Sequence, residues 1–399
     1  MKKRLFYILG ILVILSGLMG PIIYSDKLAR RQRPLNPVPA LSGSTENGSA
    51  LRDDAGSGTE RDLKKNTGSG AEKGSVKNAN SPGTEKERVT GTSLPGILPA
   101  GQSPGGQPPE NATGVHLWVT QDFGRSSMYA ETVGFRPGDA ALDILNNNLN
   151  IETAHGGTFV NSINGVASGY TGKSGGERRK KDWFYWVNGV MASVGADQFV
   201  PGTGDVIWWD YHDWSTTMFV PAVIGAYPEP FLHGYNRQNR GAVILYADGY
   251  EQQAQKIKRG LEKLHVEPVS AAPFSEEGIT KRTGPAIVVG PWTDLKQSEI
   301  LRGINERGVK NGLYVKFSDD GFDLLTSSGQ TAGTCGKDCG AIVAVGTGSG
   351  KGDVLWLVTG VDRQGLENAV AVLSERPLEI KYCFGAAIDS GKVIPLPVQ

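Results

Sequence analysis

Cysteine is scarce in this chain, charge is balanced, and the short signatures of common catalytic chemistry are missing. Three cysteines, Cys335, Cys339 and Cys383, among 399 residues are too few for a disulfide-built scaffold. Cys335 and Cys339 flank Gly336-Lys337-Asp338. A tight loop with that spacing is either stapled in an oxidising compartment or carries two free thiols. Two cysteines do not complete a structural zinc site, which takes four ligands, and no Cys-x-x-Cys is present. The 41 basic residues offset 41 acidic ones, so no net charge points to nucleic acid or another polyelectrolyte.

No His-Glu-x-x-His, Gly-x-Ser-x-Gly or Ser-His-Asp arrangement occurs, so no enzyme is expected. The glycine-rich run Gly346–Gly352 fails as a phosphate-binding loop. Val345 stands where its first glycine belongs, and Gly352 where Ser or Thr must follow the lysine. It reads as a hairpin turn. Paired Asp319 and Asp320 also fall in a turn. His212, between Asp210 and Asp213, has no second histidine at ligand spacing and reads as solvated rather than metal-bound; His155 is similarly isolated.

What is present begins with a stretch of 20 uncharged residues, Leu5 to Tyr24, after Lys2, Lys3 and Arg4. A helix of that length rises about 30 Å, enough to span a hydrocarbon core. No small-residue cleavage site is clear and no nearby cysteine allows a lipid anchor, so residues 1–33 read as an uncleaved signal anchor with its flanks. Flanking charge does not settle orientation, because Lys27, Arg30, Arg31 and Arg33 balance the N-terminal cluster. Residues 34–113 are rich in Gly, Ser, Asn, Thr, Pro, Lys and Glu, a composition that cannot bury enough apolar surface to fold. As a flexible coil they reach on the order of 50 Å, which suits a spacer crossing a wall or glycan layer. The expected localisation is the cell membrane, single-pass, with the C-terminal domains extracytoplasmic. Asn47-Gly48-Ser49 and Asn111-Ala112-Thr113 fit a glycosylation pattern that arises easily by chance in such sequence.

The rest is expected to be α+β, with a β-grasp domain over 114–232 and an α/β domain with a mixed sheet over 238–399. In the first, strands are predicted at Val115–Thr120, Met128–Val133, Thr158–Val166, Trp183–Val187 and Asp205–Tyr211. A helix follows Pro137-Gly138, capped by Asp139 and striped by Ala141, Leu142, Ile144, Leu145 and Leu149. In the second, strands Ala242–Tyr246 and Pro285–Gly290 precede helices Glu251–Leu264 and Asp294–Arg307. Hairpins are expected around Asp319-Asp320-Gly321 and around the Gly346 run. A helix over Asp362–Glu375 and a late strand over Leu378–Phe384 complete the pattern.

Several short motifs in the first domain are in register with one family. Gly157-Thr158-Phe159-Val160-Asn161-Ser162-Ile163-Asn164-Gly165-Val166, then Tyr185-Trp186-Val187-Asn188-Gly189, then Gly195-Ala196-Asp197-Gln198-Phe199 and Gly204-Asp205-Val206-Ile207 resemble the transcobalamin-like C-terminal domain. The resemblance runs over about residues 114–215. It implies a β-grasp module that closes over one face of a corrinoid. The strand through Phe159, Asn161 and Ser162 and the strand through Tyr185 and Trp186 would face that ligand. Two features depart from the family: no helical barrel domain accompanies the module, and the loop Ser168–Asp182 is long and carries Arg178, Arg179, Lys180 and Lys181. That basic run reads as a solvated loop more readily than as an anion site.

Aromatics crowd between Trp183 and Trp214, and alternation along a strand sends neighbours to opposite faces. Trp183, Tyr185 and Val187 share one face, Phe184 and Trp186 the other, and Trp208 and Trp209 cannot fill the same core. The outward set either packs against the second domain or forms a platform for a planar ligand or sugar rings. The expected ligand-binding residues are therefore Phe159, Asn161, Ser162, Tyr185, Trp186 and Trp208, with no catalytic residue and no metal ligand. The expected function is a membrane-anchored extracytoplasmic binding protein. Its ligand is cobalamin or another corrinoid, with no resident cofactor and no nucleic-acid partner. The alternative is an envelope structural or adhesion protein that contacts glycan or protein.

Overall fold

A computed structural model describes residues 114–399, which all fall within one compact unit. The expected membrane segment and linker lie outside the described residues. Among the described residues no helix is long and apolar enough to cross a membrane. The architecture is α+β, built from mixed sheets with few helices.

The first half opens with a hairpin, β1 (Val115–Gln121) and β2 (Ser126–Val133), and then helix α1 (Ala141–Asn148). Short strands β3 (Ile151–Ala154), β4 (Phe159–Ile163) and β5 (Val166–Ala167) follow. Then come β6 (Lys181–Val187), β7 (Val190–Met191) and β8 (Val206–Asp213). The main sheet has the order β2-β1-β8-β6-β7, with β1 and β8 parallel and the other pairs antiparallel. One helix of eight residues, α1, accompanies this mixed sheet. The predicted strand over 158–166 differs: it turns at Asn164-Gly165 and belongs to a separate sheet, β3-β4-β5. The helix cap differs as well. Ala140 is the N-cap, and Asp143 accepts its N–H at 2.9 Å. Asp139, the expected cap, instead accepts from Arg136 N at 2.8 Å and closes the preceding turn.

The second half carries β9 (Ala242–Tyr246), α2 (Glu251–Lys263), β10 (Val269–Pro273), α3 (Glu276–Thr280) and β11 (Ala286–Pro291). The predicted helix over 294–307 is two, α4 (Trp292–Leu295) and α5 (Glu299–Arg307). Ser298 separates them, because its hydroxyl accepts from Leu301 N and starts the second helix afresh. A meander of β12 (Val315–Phe317), β13 (Phe322–Leu325) and β14 (Thr331–Cys335) precedes β15 (Gly340–Val345) and β16 (Leu355–Gly360). Cys335 and Cys339 are disulfide-bonded and staple the loop between β14 and β15. Helix α6 (Arg363–Glu375) begins at Asp362, whose carboxylate accepts from Gly365 N at 2.8 Å.

The predicted strand over 378–384 is instead a 3₁₀ turn at Pro377–Ile380 and a loop. Proline opens the turn, and Tyr382 has φ 65°, which no strand residue adopts. The last strands are β17 (Gly385–Asp389) and β18 (Lys392–Leu396). The large sheet has the order β10-β9-β11-β16-β15-β17-β18, with its first four strands mutually parallel. Such strands are covered on both sides, so β11 and β16 are buried throughout and read as continuous apolar runs.

The two halves share a core. On β8, Ile207 and Trp209 join Trp183, Val187, Ile144 and Leu145 in a cluster beneath α1. Val206 and Trp208 point the other way and join Trp186 in the cluster that continues through Ile244, Val288, Trp356 and Phe384. The connecting residues Val220, Val223, Ile224 and Phe231 are buried in that second cluster. The chain between 220 and 231 is therefore packed into the shared core, and exposed backbone follows only at Asn236–Arg240. Glycine makes the close approach feasible at two points. A Cβ on Gly124, which has φ 82°, would lie 1.8 Å from Tyr382 O, and one on Gly225 would lie 2.5 Å from Cys383 N.

Candidate ligand-binding cleft

The aromatic platform expected from the sequence is sealed inside the protein. Trp186 and Trp208 are 0 % exposed. Trp186 donates its indole N–H to Val220 O at 2.9 Å, and Trp208 donates to Thr120 Oγ1 at 2.7 Å. Phe384 from the second half stands edge-on to both, with ring centroids 5.2 and 5.4 Å away. Neither indole offers a face to a ligand, which corrects the expectation for these two residues. The physical reason is that an aromatic sheet face of this size is apolar area, and the second half removes it from water.

The other four expected residues are dispersed. Ser162 is buried beside Ala167 in the small sheet. Phe159 and Asn161 are half-buried on β4, with Phe159 edge-on to His155. Tyr185 lies on the α1 side, stacked on Trp209 at 4.8 Å, and donates its hydroxyl to Val194 O at 2.6 Å. Burial raises its pKa, with Tyr235 and Asp197 adding to the shift. No aromatic contact among the described residues joins Phe159 to Tyr185.

His212 is not solvated, contrary to expectation. It is 1 % exposed and its Nδ1 lies 2.8 Å from Asp210 Oδ1. Asp210, also buried, accepts from Thr120 Oγ1 at 2.5 Å, Phe123 N at 3.1 Å and Gly124 N at 2.9 Å. A buried carboxylate persists only when it is satisfied in this way. It fixes the β1–β2 turn against the interface, where Phe123 packs on Phe384 and Tyr314. No group of metal-ligating side chains occurs among the described residues. The basic loop is occupied by its own aromatics: Arg178 lies over Tyr170, Lys180 over Trp214 and Lys181 over Tyr211. Lys181 also pairs with Asp122 at 2.7 Å.

The cleft that remains open lies at the seam between the halves. It is a cavity of about 540 Å³ whose lining includes His116, Trp118, Glu131, Leu232, His233, Leu378 and Lys381. Alternation on β1 places His116 and Trp118 on the same side of the sheet. His116 Nδ1 is 2.9 Å from Thr132 Oγ1 on the neighbouring strand. Burial, Lys381 and His233 together hold the His116 imidazole below its ordinary pKa. Lys381, just after the 3₁₀ turn, sets its ammonium over the Trp118 ring at 5.0 Å and the Tyr382 ring at 4.8 Å. It has no carboxylate partner within ion-pair distance among the described residues. Glu229 is buried, accepts from His233 N at 3.0 Å and contacts that imidazole. Burial raises its pKa against the opposing pull of His233. Leu378 stands 82 % exposed at the wall. An apolar floor with a few converging polar heads is the usual form of a small-molecule site.

No pattern in the sequence flags this cleft, because its walls come from six segments spread between residues 116 and 381. The one local cue is Leu378, an apolar residue beside Pro377 in a stretch that reads as a strand.

A family described as a domain of unknown function (DUF4430) matches residues 138–213, which lie within the segment that resembles the transcobalamin-like domain. Among solved structures, haptocorrin in complex with Cbi matches at 16% identity and a TM-score of 0.20, covering 25% of this chain and 25% of that one. The match thus spans about a quarter of that chain's length. No curated protein matches.

Proposed function

We propose that the protein is a membrane-tethered, extracytoplasmic ligand-binding protein, without catalytic chemistry, that holds its ligand in the cleft between its two halves. The observation that carries this is the convergence of Trp118, His116, His233 and Lys381, from three separate segments, on one apolar cavity. Lys381 is aimed by cation–π contact and has no carboxylate partner among the described residues, so its charge is available to an acceptor on a ligand. The tether reading rests on the apolar run Leu5–Tyr24 and the unfoldable composition of residues 34–113. The Cys335–Cys339 bond supports an oxidising compartment.

The ligand class implied by the sequence motifs is a corrinoid. Its amide-bearing rim supplies acceptors for Lys381 and the imidazoles, and its planar edge fits against Trp118. The site is moved from the sheet face to the seam, because Trp186 and Trp208 are enclosed. Titration of the full-length chain with cobinamide and cobalamin, followed by the visible bands of the corrin, tests the proposal. Saturable binding is expected, weakened about tenfold in Trp118→Ala or Lys381→Gln, a loss of the size a cation–π or charged contact supplies. The absence of any spectral or calorimetric change with either corrinoid ends that reading. Binding that both variants retain places the site away from the cleft.

A further inference from the structure

The second half contains a crevice that the reading above leaves unused, and its position follows from topology. Strand β9 pairs in parallel with β10 on one side and β11 on the other. The chain leaves β9 through α2 toward β10, whereas it leaves β11 toward β15 and β16 on the opposite side. Connections that depart in opposite directions from neighbouring parallel strands leave a crevice outside the carboxyl ends of those strands, where open α/β sheets bind ligands. A cavity of about 850 Å³ lies there. Its walls come from the carboxyl ends of two strands and the segments that follow all three: Tyr246–Gly249 at the end of β9, Pro273 and Phe274 at the end of β10, and Thr293–Leu295 after β11.

The side chains in this crevice share one chemistry. Tyr246 and Phe274 are both half-buried and line the cavity, on backbones joined where Phe274 N donates to Tyr246 O at 2.8 Å. Around them stand Asp248, Glu251, Gln252, Thr293, Asp294 and Gln297. Apart from a weak contact between Thr293 and Asp294 at 3.3 Å, these polar side chains make no hydrogen bond or ion pair among the described residues. No lysine, arginine or histidine lines the cavity. Flat apolar rings accept the C–H face of a pyranose, and carboxylates and amides bond to adjacent hydroxyls in pairs. Three carboxylates with no basic residue among them favour a positively charged sugar and repel an acidic one.

We propose that this crevice binds an amino-sugar-bearing saccharide. The site is separate from the seam cleft, and neither proposal depends on the other. Calorimetric titration of the full-length chain with a glucosamine tetramer, an N-acetylglucosamine tetramer and a galacturonic acid tetramer tests it. The glucosamine tetramer is expected to bind most tightly and the acidic tetramer not measurably. The double variant D248N/D294N should cut the preference for the free amine over its acetylated form about fivefold, in line with exposed ion pairs. Phe274→Leu keeps the apolar volume but removes the ring, and should weaken both neutral and cationic tetramers about fivefold. Lys381→Gln should leave saccharide binding unchanged. The proposal is overturned if no tetramer binds or if the acidic tetramer binds as tightly as the amine. Variants that melt like the parent and keep its affinities also overturn it.

Discussion

Replacing Phe384 by alanine tests whether the two halves are one folding unit. The ring is 2 % exposed. Its centroid lies 5.2 Å from Phe123, 5.2 Å from Trp186, 5.4 Å from Trp208 and 5.5 Å from His212. All four neighbours belong to the first half, whereas Phe384 belongs to the second. Truncating a buried phenylalanine costs about 3–5 kcal/mol. The upper part of that range applies here, because rigid indole rings cannot collapse into the space left behind. Urea unfolding should be followed by tryptophan fluorescence, which reports mainly the first half, and by far-ultraviolet circular dichroism, which reports both. If the shared core is real, both probes give one coincident transition, shifted to lower urea by the same amount in the variant. The reasoning fails if the parent unfolds in two steps. It also fails if Phe384→Ala leaves the fluorescence transition unmoved.

Two further outcomes follow from buried carboxylates. Asp210→Ala removes the acceptor of Thr120, Phe123 N, Gly124 N and His212, and urea unfolding should register a loss of about 3–5 kcal/mol, with Asp210→Asn losing less. Glu229 has its carboxyl held above the ordinary carboxylate value of about 4.5 by burial, so the folded state binds its proton more tightly than the unfolded state does. Its contribution to stability is therefore present at acid pH and is lost as pH rises from about 4.5 through the raised folded value. Thermal melts of Glu229→Gln across that window should lack this downward slope, and an unchanged slope would assign it to another group.

The fold was legible where periodicity was strong and local, and illegible where the decision lay in the partner surface. Alternation along residues 206–211 assigns Trp208 and Trp209 to opposite faces, and both are buried in different cores. The sequence alone left open whether the second core was a ligand or the rest of the chain. Phe384, which settles it, lies far away in a segment read as a strand. That segment reads as a strand because Leu378, Ile380 and Phe384 alternate well enough, while the terminating signals are a proline and a positive φ at Tyr382. The helix at 294–307 failed for a different reason. Ser298 is compatible with a helix interior until its hydroxyl is seen capping Leu301. Asp139 is a good cap on propensity, but Asp143 reaches the orphan N–H first.

The enclosed platform changes how ligand-binding variants must be chosen. Trp186→Ala and Trp208→Ala would be natural probes of a stacking surface, yet each removes a hydrogen-bonded indole from the interface between the halves. Either should destabilise the unit by about 3–5 kcal/mol, so loss of binding there does not by itself report contact. Trp118 and Lys381 are different, because both are only partly enclosed and hold each other by a cation–π contact of less than about 1 kcal/mol at exposed sites. Lys381→Gln removes only that contact, whereas Trp118 also packs on Trp208 and Tyr382, so Trp118→Ala is read beside its melting temperature. The seam is thus the part of the shared interface where chemistry is left over after folding, and substitutions there separate binding from stability.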